Sequence, residues 1–297
     1  MTKNKVLLGS KNFNLDIQKQ FCKLSGDINP IHIDVLESRK SIPGECIVHG
    51  MHTFLWTIEL LVSKNNYLFS DYEINFKKYI PLNSKVSCFW DDFKNELTIE
   101  KDKEIIFLSI KCNGKKINKK SDNWLPVLHE KILKKPLEIN INNINNKSKI
   151  NSVYGGEIDI SKELFPKLCQ YTSKNLIYEI SILSNIIGMQ APGLNSLFVS
   201  CKLSLKKDIK VIPQYRLNNF HKSIKLLEIA YYGKNIISEM QAFITPKNPS
   251  IIIKNDLKND LKIKNYYRGK KVLILGGSRG IGSFLVKVIN LLGGDIM

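Results

Sequence analysis

From residue 14 to residue 24 the apolar side chains Leu15, Ile17, Phe21 and Leu24 recur among polar neighbours at a helical interval, which predicts a helix there. The cluster Gly26-Asp27-Ile28-Asn29-Pro30 stops it, because Gly, Asp, Asn and Pro are turn formers. A second run, I-V-H-G-M-H-T-F-L-W-T-I-E-L-L-V-S-K, places Met51, Phe54, Leu55, Ile58, Leu61 and Val62 at the same interval with few polar breaks. A helix apolar on nearly every side belongs in a core. The period then drops to two. Residues 72–79, 86–93, 97–101 and 105–112 read as strands, as does the short stretch 4–8, with a turn at 80–83 and a Lys/Asn-rich connection at 113–122. A buried helix followed by an antiparallel meander predicts an α+β fold in which a curved sheet wraps the helix.

The same order then repeats. After a Lys/Asn-rich linker at 130–150, Leu176, Ile177, Ile180, Leu183, Ile186 and Ile187 form a second apolar helical face ending at Pro192-Gly193. Runs at 196–205, 222–231 and 234–245 read as strands. One helix followed by strands, twice, predicts an internal duplication. After another polar linker comes V-L-I-L-G-G-S-R-G-I-G. Residues 272–275 read as a buried parallel strand, and glycines 276, 280 and 282 open a helix carrying Ile281, Phe284, Leu285, Val288 and Ile289. The expected units are 1–128, a linker 129–150, 151–247, a linker 248–268, and 269–297.

Composition narrows the function. The chain of 297 residues is 43% hydrophobic, enough for a sizeable core. It has no apolar run of 18 residues to span a membrane and no secretory h-region. Six cysteines without a Cys-x-x-Cys read as free thiols, so the expected location is cytoplasmic. The formal charge of +18 comes from lysines spread along the chain and not from one arm. That argues against a nucleic-acid stripe and suits a polyanionic small partner.

The candidate chemistry lies in F-C-K-L-S-G-D-I-N-P-I-H, residues 21–32. Pro30 fixes its own φ and keeps Asn29 out of helix, so the turn can aim Asp27 and His32 into one cleft. A carboxylate and an imidazole facing one water can activate it, or move a proton at a carbon next to a carbonyl. Gly50 opens the buried helix, where an unpaired N–H and partial positive charge favour a developing oxyanion. The same residues are also ordinary turn chemistry, and a nearby His is often structural.

This stretch, through Ser38, resembles the hydratase-2 motif of MaoC-like, (R)-specific enoyl-CoA hydratases, which are hotdog folds. I-V-H-G-M at 47–51 is similar to the start of that family's central helix, and F-K-K-Y-I-P-L at 76–82 to its following strand and turn. The resemblance implies that Asp27 and His32 are the acid–base pair, Gly50 is the oxyanion-hole amide, and Asn29 and Ser25 support the site. It implies water addition to trans-2-enoyl thioesters, giving (R)-3-hydroxyacyl thioesters, on coenzyme A or a carrier protein. A silent thioester-binding module is the alternative. Some members have a Ser where this chain has Ile58, beside Thr57, which leaves one polar contact open. S-N-I-I-G-M-Q-A-P-G-L-N-S at 184–196 also looks hotdog-like but lacks the Asp/His motif. The expected architecture is therefore a double hotdog of two helix-wrapped antiparallel sheets, with a non-catalytic second half that widens the groove and covers the sheet edge. Such a chain can dimerise further.

Two other patterns complete the reading. Cys46, His49 and His52 have metal-ligand spacing but lack a fourth ligand nearby, so no metal is expected. The C-terminal glycines resemble the dinucleotide fingerprint of a short-chain dehydrogenase/reductase, in which Gly276, Gly280, Gly282 and Arg279 would face NADP. About thirty residues hold no Tyr-x-x-x-Lys site. The expectation is a truncated Rossmann β–α fragment with no bound cofactor; NADP would belong only to a complete parent protein.

Overall fold

The computed structural model describes residues 5–102, 105–118, 124–127, 132–139, 151–207, 209–246, 266–278 and 280–297. The first half runs β1 (Lys5–Asn12), α1 (Leu15–Ser25), the short α2 (Pro30–Ile33) and α3 (Val35–Ser38), the central α4 (Gly50–Asn65), then β2 (Leu68–Phe76), β3 (Lys85–Asp91), β4 (Glu96–Lys101) and β5 (Ile105–Ile117). The second half runs β6 (Asn151–Ser152), α5 (Ile160–Leu164), α6 (Pro166–Tyr171), α7 (Lys174–Asn185), a π-helical turn over Ile186–Gln190, then β7 (Ser196–Leu205), β8 (Gln214–His221), β9 (Leu226–Tyr232) and β10 (Ile236–Ile244). At the C-terminal end β11 (Lys271–Val272) and β12 (Asp295–Ile296) pair in parallel around α8 (Gly280–Leu291).

The expected two sheets are one. Ten strands pair in the order β1-β3-β4-β5-β2-β7-β10-β9-β8-β6, and the halves join where β2 meets β7 antiparallel, from Asp71↔Ser204 to Asn75↔Ser200. Each half leaves one strand edge unpaired at this place, and pairing them satisfies both rows of backbone groups. Ser204 Oγ also donates to Asp71 Oδ1 at 2.5 Å across the seam.

The central helices fill the concave side. Met51, Phe54, Leu55, Ile58, Leu61 and Val62 of α4 are all buried, each contributing about 1.5–3 kcal/mol by leaving water. α4 packs on α6 and α7. The register of α7 is fixed by Glu179, which accepts from Tyr231 Oη at 3.0 Å and from the N–H groups of Lys234 and Asn235 at 2.7 and 2.9 Å. Burial pushes its carboxyl up to about 7.

Several expected boundaries move. β5 runs on to Ile117 because Leu68 and Phe69 pair with Ile117 and Lys116, so part of the connection at 113–122 is strand. The run at 222–231 spans the turn between β8 and β9, with Lys225 at φ 54°. β8 was not foreseen, since Q-Y-R-L-N-N-F-H is mostly polar and its pairing shifts register between Leu217 and Asn219. Of the linker at 129–150, Leu137 is tied down: its N–H donates to Met189 O at 2.8 Å and its carbonyl accepts from Leu194 N at 2.9 Å. The linker at 248–268 lies almost wholly outside the described residues. At the C-terminal end the strand is two residues long, and Leu273 and Leu275 are exposed. The buried strand expected at 272–275 is therefore not observed, because no described element covers that stretch.

Candidate active site

Asn14 caps α1 by accepting from Ile17 N at 2.9 Å. The helix ends at Gly26, whose φ of 72° is left-handed. A Cβ there would also approach the Gly155 carbonyl to 2.8 Å, so glycine is required twice over. The chain then turns through Asp27 and Asn29 into α2. Asn29 Oδ1 accepts from Ile31 N, and Pro30 takes the first helical position, the favoured arrangement for a helix start. Ser25 Oγ donates to Phe21 O at 2.8 Å and accepts from Asp27 N at 3.1 Å.

This turn brings the two anticipated residues together. His32 Nε2 lies 4.0 Å from Asp27 Oδ2, too far for a direct hydrogen bond. One oxygen about 2.8 Å from each would see them about 90° apart. His32 Nδ1 lies 2.9 Å from Ile47 O. A carbonyl only accepts, so this bond assigns the proton to Nδ1 and leaves the Nε2 lone pair facing Asp27. Burial pushes the Asp27 carboxyl up, and His32, Ser184 and the Asn29 N–H push it back. Burial also holds His32 below its usual range, opposed by Asp27. Gly50, the first residue of α4, lines the same cavity of about 250 Å³, and its N–H has no acceptor within the helix.

The second half takes a larger part than expected. Ser184 of α7 donates to Asp27 Oδ2 at 2.7 Å, from 157 residues away in sequence. Asn29 Nδ2 donates to Gly188 O at 2.8 Å and to Gly193 O at 3.2 Å. A Cβ on Gly188 would collide with both carboxylate oxygens of Asp27. Ile58 does not line this cavity and lies instead among Leu68, Tyr72 and Leu176. Thr57 turns inward to Phe54 O at 2.7 Å. No signal in the sequence links 184 or 188 to 27.

His49 was considered only with Cys46 and His52, and the structure separates that set. Cys46 Sγ meets Ser38 Oγ at 3.2 Å, and His52 Nδ1 meets Gln18 Oε1 at 2.8 Å. His49 instead lies fully buried against His32, with ring centroids 3.7 Å apart and planes inclined by 26°. Its Nε2 is 3.2 Å from the Asp27 carbonyl. Its position next to Gly50, at the N-cap of α4, was the available signal. Among the described residues Asp27, His32 and His49 are a trio whose ligand atoms lie within 4.8 Å of one another. They do not suit a metal. An ion lies in the plane of each imidazole that binds it, and two stacked rings cannot both direct in-plane lone pairs at one point. The bond to the Asp27 carbonyl also assigns a proton to His49 Nε2.

Gly276, Gly280 and Gly282 lie in and after the turn between β11 and α8, far from this site in sequence. A Cβ on Gly282 would collide with the Gly276 carbonyl, so the turn packs tightly on its helix. Arg279 lies outside the described residues. Among the described residues no helix is long and apolar enough to cross a membrane.

Comparison with known proteins bears on this geometry. Residues 13–102 match the profile of the MaoC like domain. No curated protein matches the chain. A solved MaoC-like dehydratase superposes with a TM-score of 0.50 at 9% identity, over 82% of this chain and 98% of that one. The full-length peroxisomal multifunctional enzyme type 2 from Drosophila melanogaster superposes with 0.49 at 8% identity, over 80% of this chain and 48% of that one. The (R)-hydratase from A. caviae involved in PHA biosynthesis gives 0.31 at 20% identity, over 37% and 94%. At such identities the likeness to the first of these is one of fold. Residues 13–102 thus match the MaoC like domain, and the chain as a whole shares the α+β fold, with its long antiparallel sheet, of a solved MaoC-like dehydratase.

Proposed function

We propose that this chain catalyses the reversible hydration of trans-2-enoyl thioesters to (R)-3-hydroxyacyl thioesters. The observation that carries the reading is the 4.0 Å separation of Asp27 Oδ2 and His32 Nε2 in one cavity with the amide of Gly50. Both side-chain atoms are acceptors in the assigned protonation state. One water donating a hydrogen to each presents its lone pairs to the substrate. The water oxygen adds to C3, and one of its protons passes to His32 Nε2. The double-bond electrons move onto the thioester oxygen, which the Gly50 N–H and the positive end of α4 stabilise. The imidazolium, held beside the Asp27 carboxylate, then gives its proton to C2, so water has added across the bond and both groups are restored.

The MaoC-like domain supports this reading, as does the match of Asp27, Asn29 and His32 to the hydratase motif. In this reading the C-terminal glycine turn, with β11 and β12 parallel around α8, is a Rossmann-like β–α element.

Loss of the conjugated absorbance of crotonyl-CoA tests the activity directly. Asp27→Asn is expected to lower turnover by about 10²–10⁴-fold. Burial raises the Asp27 carboxyl in the folded chain, so an ionised Asp27 costs stability at every pH above that raised value. Removing the charge is therefore expected to raise Tm at neutral pH. Full turnover by Asp27→Asn would remove Asp27 from the mechanism, and no turnover at any chain length would sink the reading.

A further inference from the structure

The candidate cavity has two rims of opposite character. With the enoyl head between Asp27, His32 and Gly50 in the cavity of about 250 Å³, the remainder of a pantetheine thioester must pass over a rim. One rim follows the end of β2 and consists of the exposed Lys77, Lys78 and Tyr79. The other consists of Leu197, Phe198 and Val199 of β7 with Phe243 of β10, and it carries no charge. Besides Asp27, Lys77 and Lys78 are the charged side chains lining the cavity, and neither pairs with a carboxylate among the described residues.

The basic rim is also held in place. The N–H groups of Lys77 and Lys78 both donate to Phe107 O, at 2.9 and 3.2 Å, and Val48 N donates to Ile80 O at 2.9 Å. The turn is thereby stitched to β5 on one side and to the segment leading into Gly50 on the other. An unpaired cationic pair at the mouth of a cleft attracts anionic ligands from solution.

We propose that Lys77 and Lys78 receive the phosphate-bearing end of the pantetheine arm, while the acyl tail lies towards Phe198 and Phe243. The proposal rests on the enoyl-thioester reading and orients the substrate within it. Coenzyme A and the prosthetic arm of a carrier protein share this phosphate chemistry.

The test uses the full chain and the double variant Lys77→Glu/Lys78→Glu, with Tm as the check on folding. Three substrates are compared: crotonyl-CoA, crotonyl carrier protein, and crotonyl-pantetheine, which has no phosphate. The KM for crotonyl-CoA is expected to rise about tenfold or more, less so at high salt, with kcat nearly unchanged and the KM for crotonyl-pantetheine unmoved. A rise confined to the carrier-bound substrate would still support the rim and name the carrier as its source. Equal shifts with and without phosphate, or none, overturn the rim and leave the hydratase reading standing. If the unaltered chain turns over no substrate, the hydratase reading fails and binding alone decides the rim. Coenzyme A binding weakened by the double variant, with pantetheine binding unchanged, then supports it, and equal binding overturns it.

Discussion

Burial pushes the Asp27 carboxyl up, and His32, Ser184 and the Asn29 N–H push it back. The balance sets the acid limb of activity, because the proposed reaction needs the carboxylate. Ser184→Ala removes one of the opposing groups, so Asp27 moves further up and activity is lost at a higher pH as the solution is acidified. A hydrogen bond to a charged group contributes about 1.5–3 kcal/mol, so kcat/KM at neutral pH should fall roughly tenfold or more. The check is a pH profile of kcat/KM. A lower Tm with an unmoved acid limb would make Ser184 a packing residue only. Asp27 and His32 were legible as a pair because they lie five positions apart across one turn, with Pro30 fixing its shape. Ser184 was not, since nothing local marks a serine on an apolar helix as facing a carboxylate in the other half.

The element that carries Ser184 ends in a feature no periodicity reveals. After Asn185 the helix widens into a π-helical turn over Ile186–Gln190, a feature often found at functional sites. It brings the Gly188 backbone against Asp27 and its carbonyl to Asn29. Gly188→Ala would push a methyl into the Asp27 carboxylate. Activity is expected to fall about a hundredfold, as a misplacement of about 1 Å does in a catalytic pair. Circular dichroism should stay that of a folded chain. An alanine variant of normal activity would show that this contact is not required. The central helices were legible because burial on every side leaves an apolar run. β8 was not, because one face of an outer strand meets solvent and its side chains need not be apolar.

Across the whole molecule, the seam between β2 and β7 makes one sheet from two repeats and places α7 over a site built on α1 and α2. Residues 1–128 alone would keep Asp27, His32 and Gly50 but lose Ser184, Gly188 and the partner of β2. That piece is expected to be inactive as a monomer and prone to self-pairing along β2. Adding residues 151–247 in trans should restore hydration, followed with crotonyl-CoA. Full activity of the monomeric first piece would mean that the second half is dispensable. The parallel pair β11·β12 contributes no residue to the cavity.

Local chemistry determined the turn at 26–32, the helix that Gly50 opens and the repeated order of helix and strands, because capping, proline geometry and periodicity act over a few residues. The resemblance of 21–38 and 47–51 to a hydratase motif rested on the same short-range residues. Long-range packing decided the rest: the single sheet, the approach of Gly188, the hydroxyl of Ser184 on Asp27, and the stacking of His49 on His32. The contacts between the halves join residues as far apart in sequence as Asp27 and Gly188. The first three depend on where two folded halves meet and the last on where α4 meets α2 within one half, and no local pattern encodes either meeting.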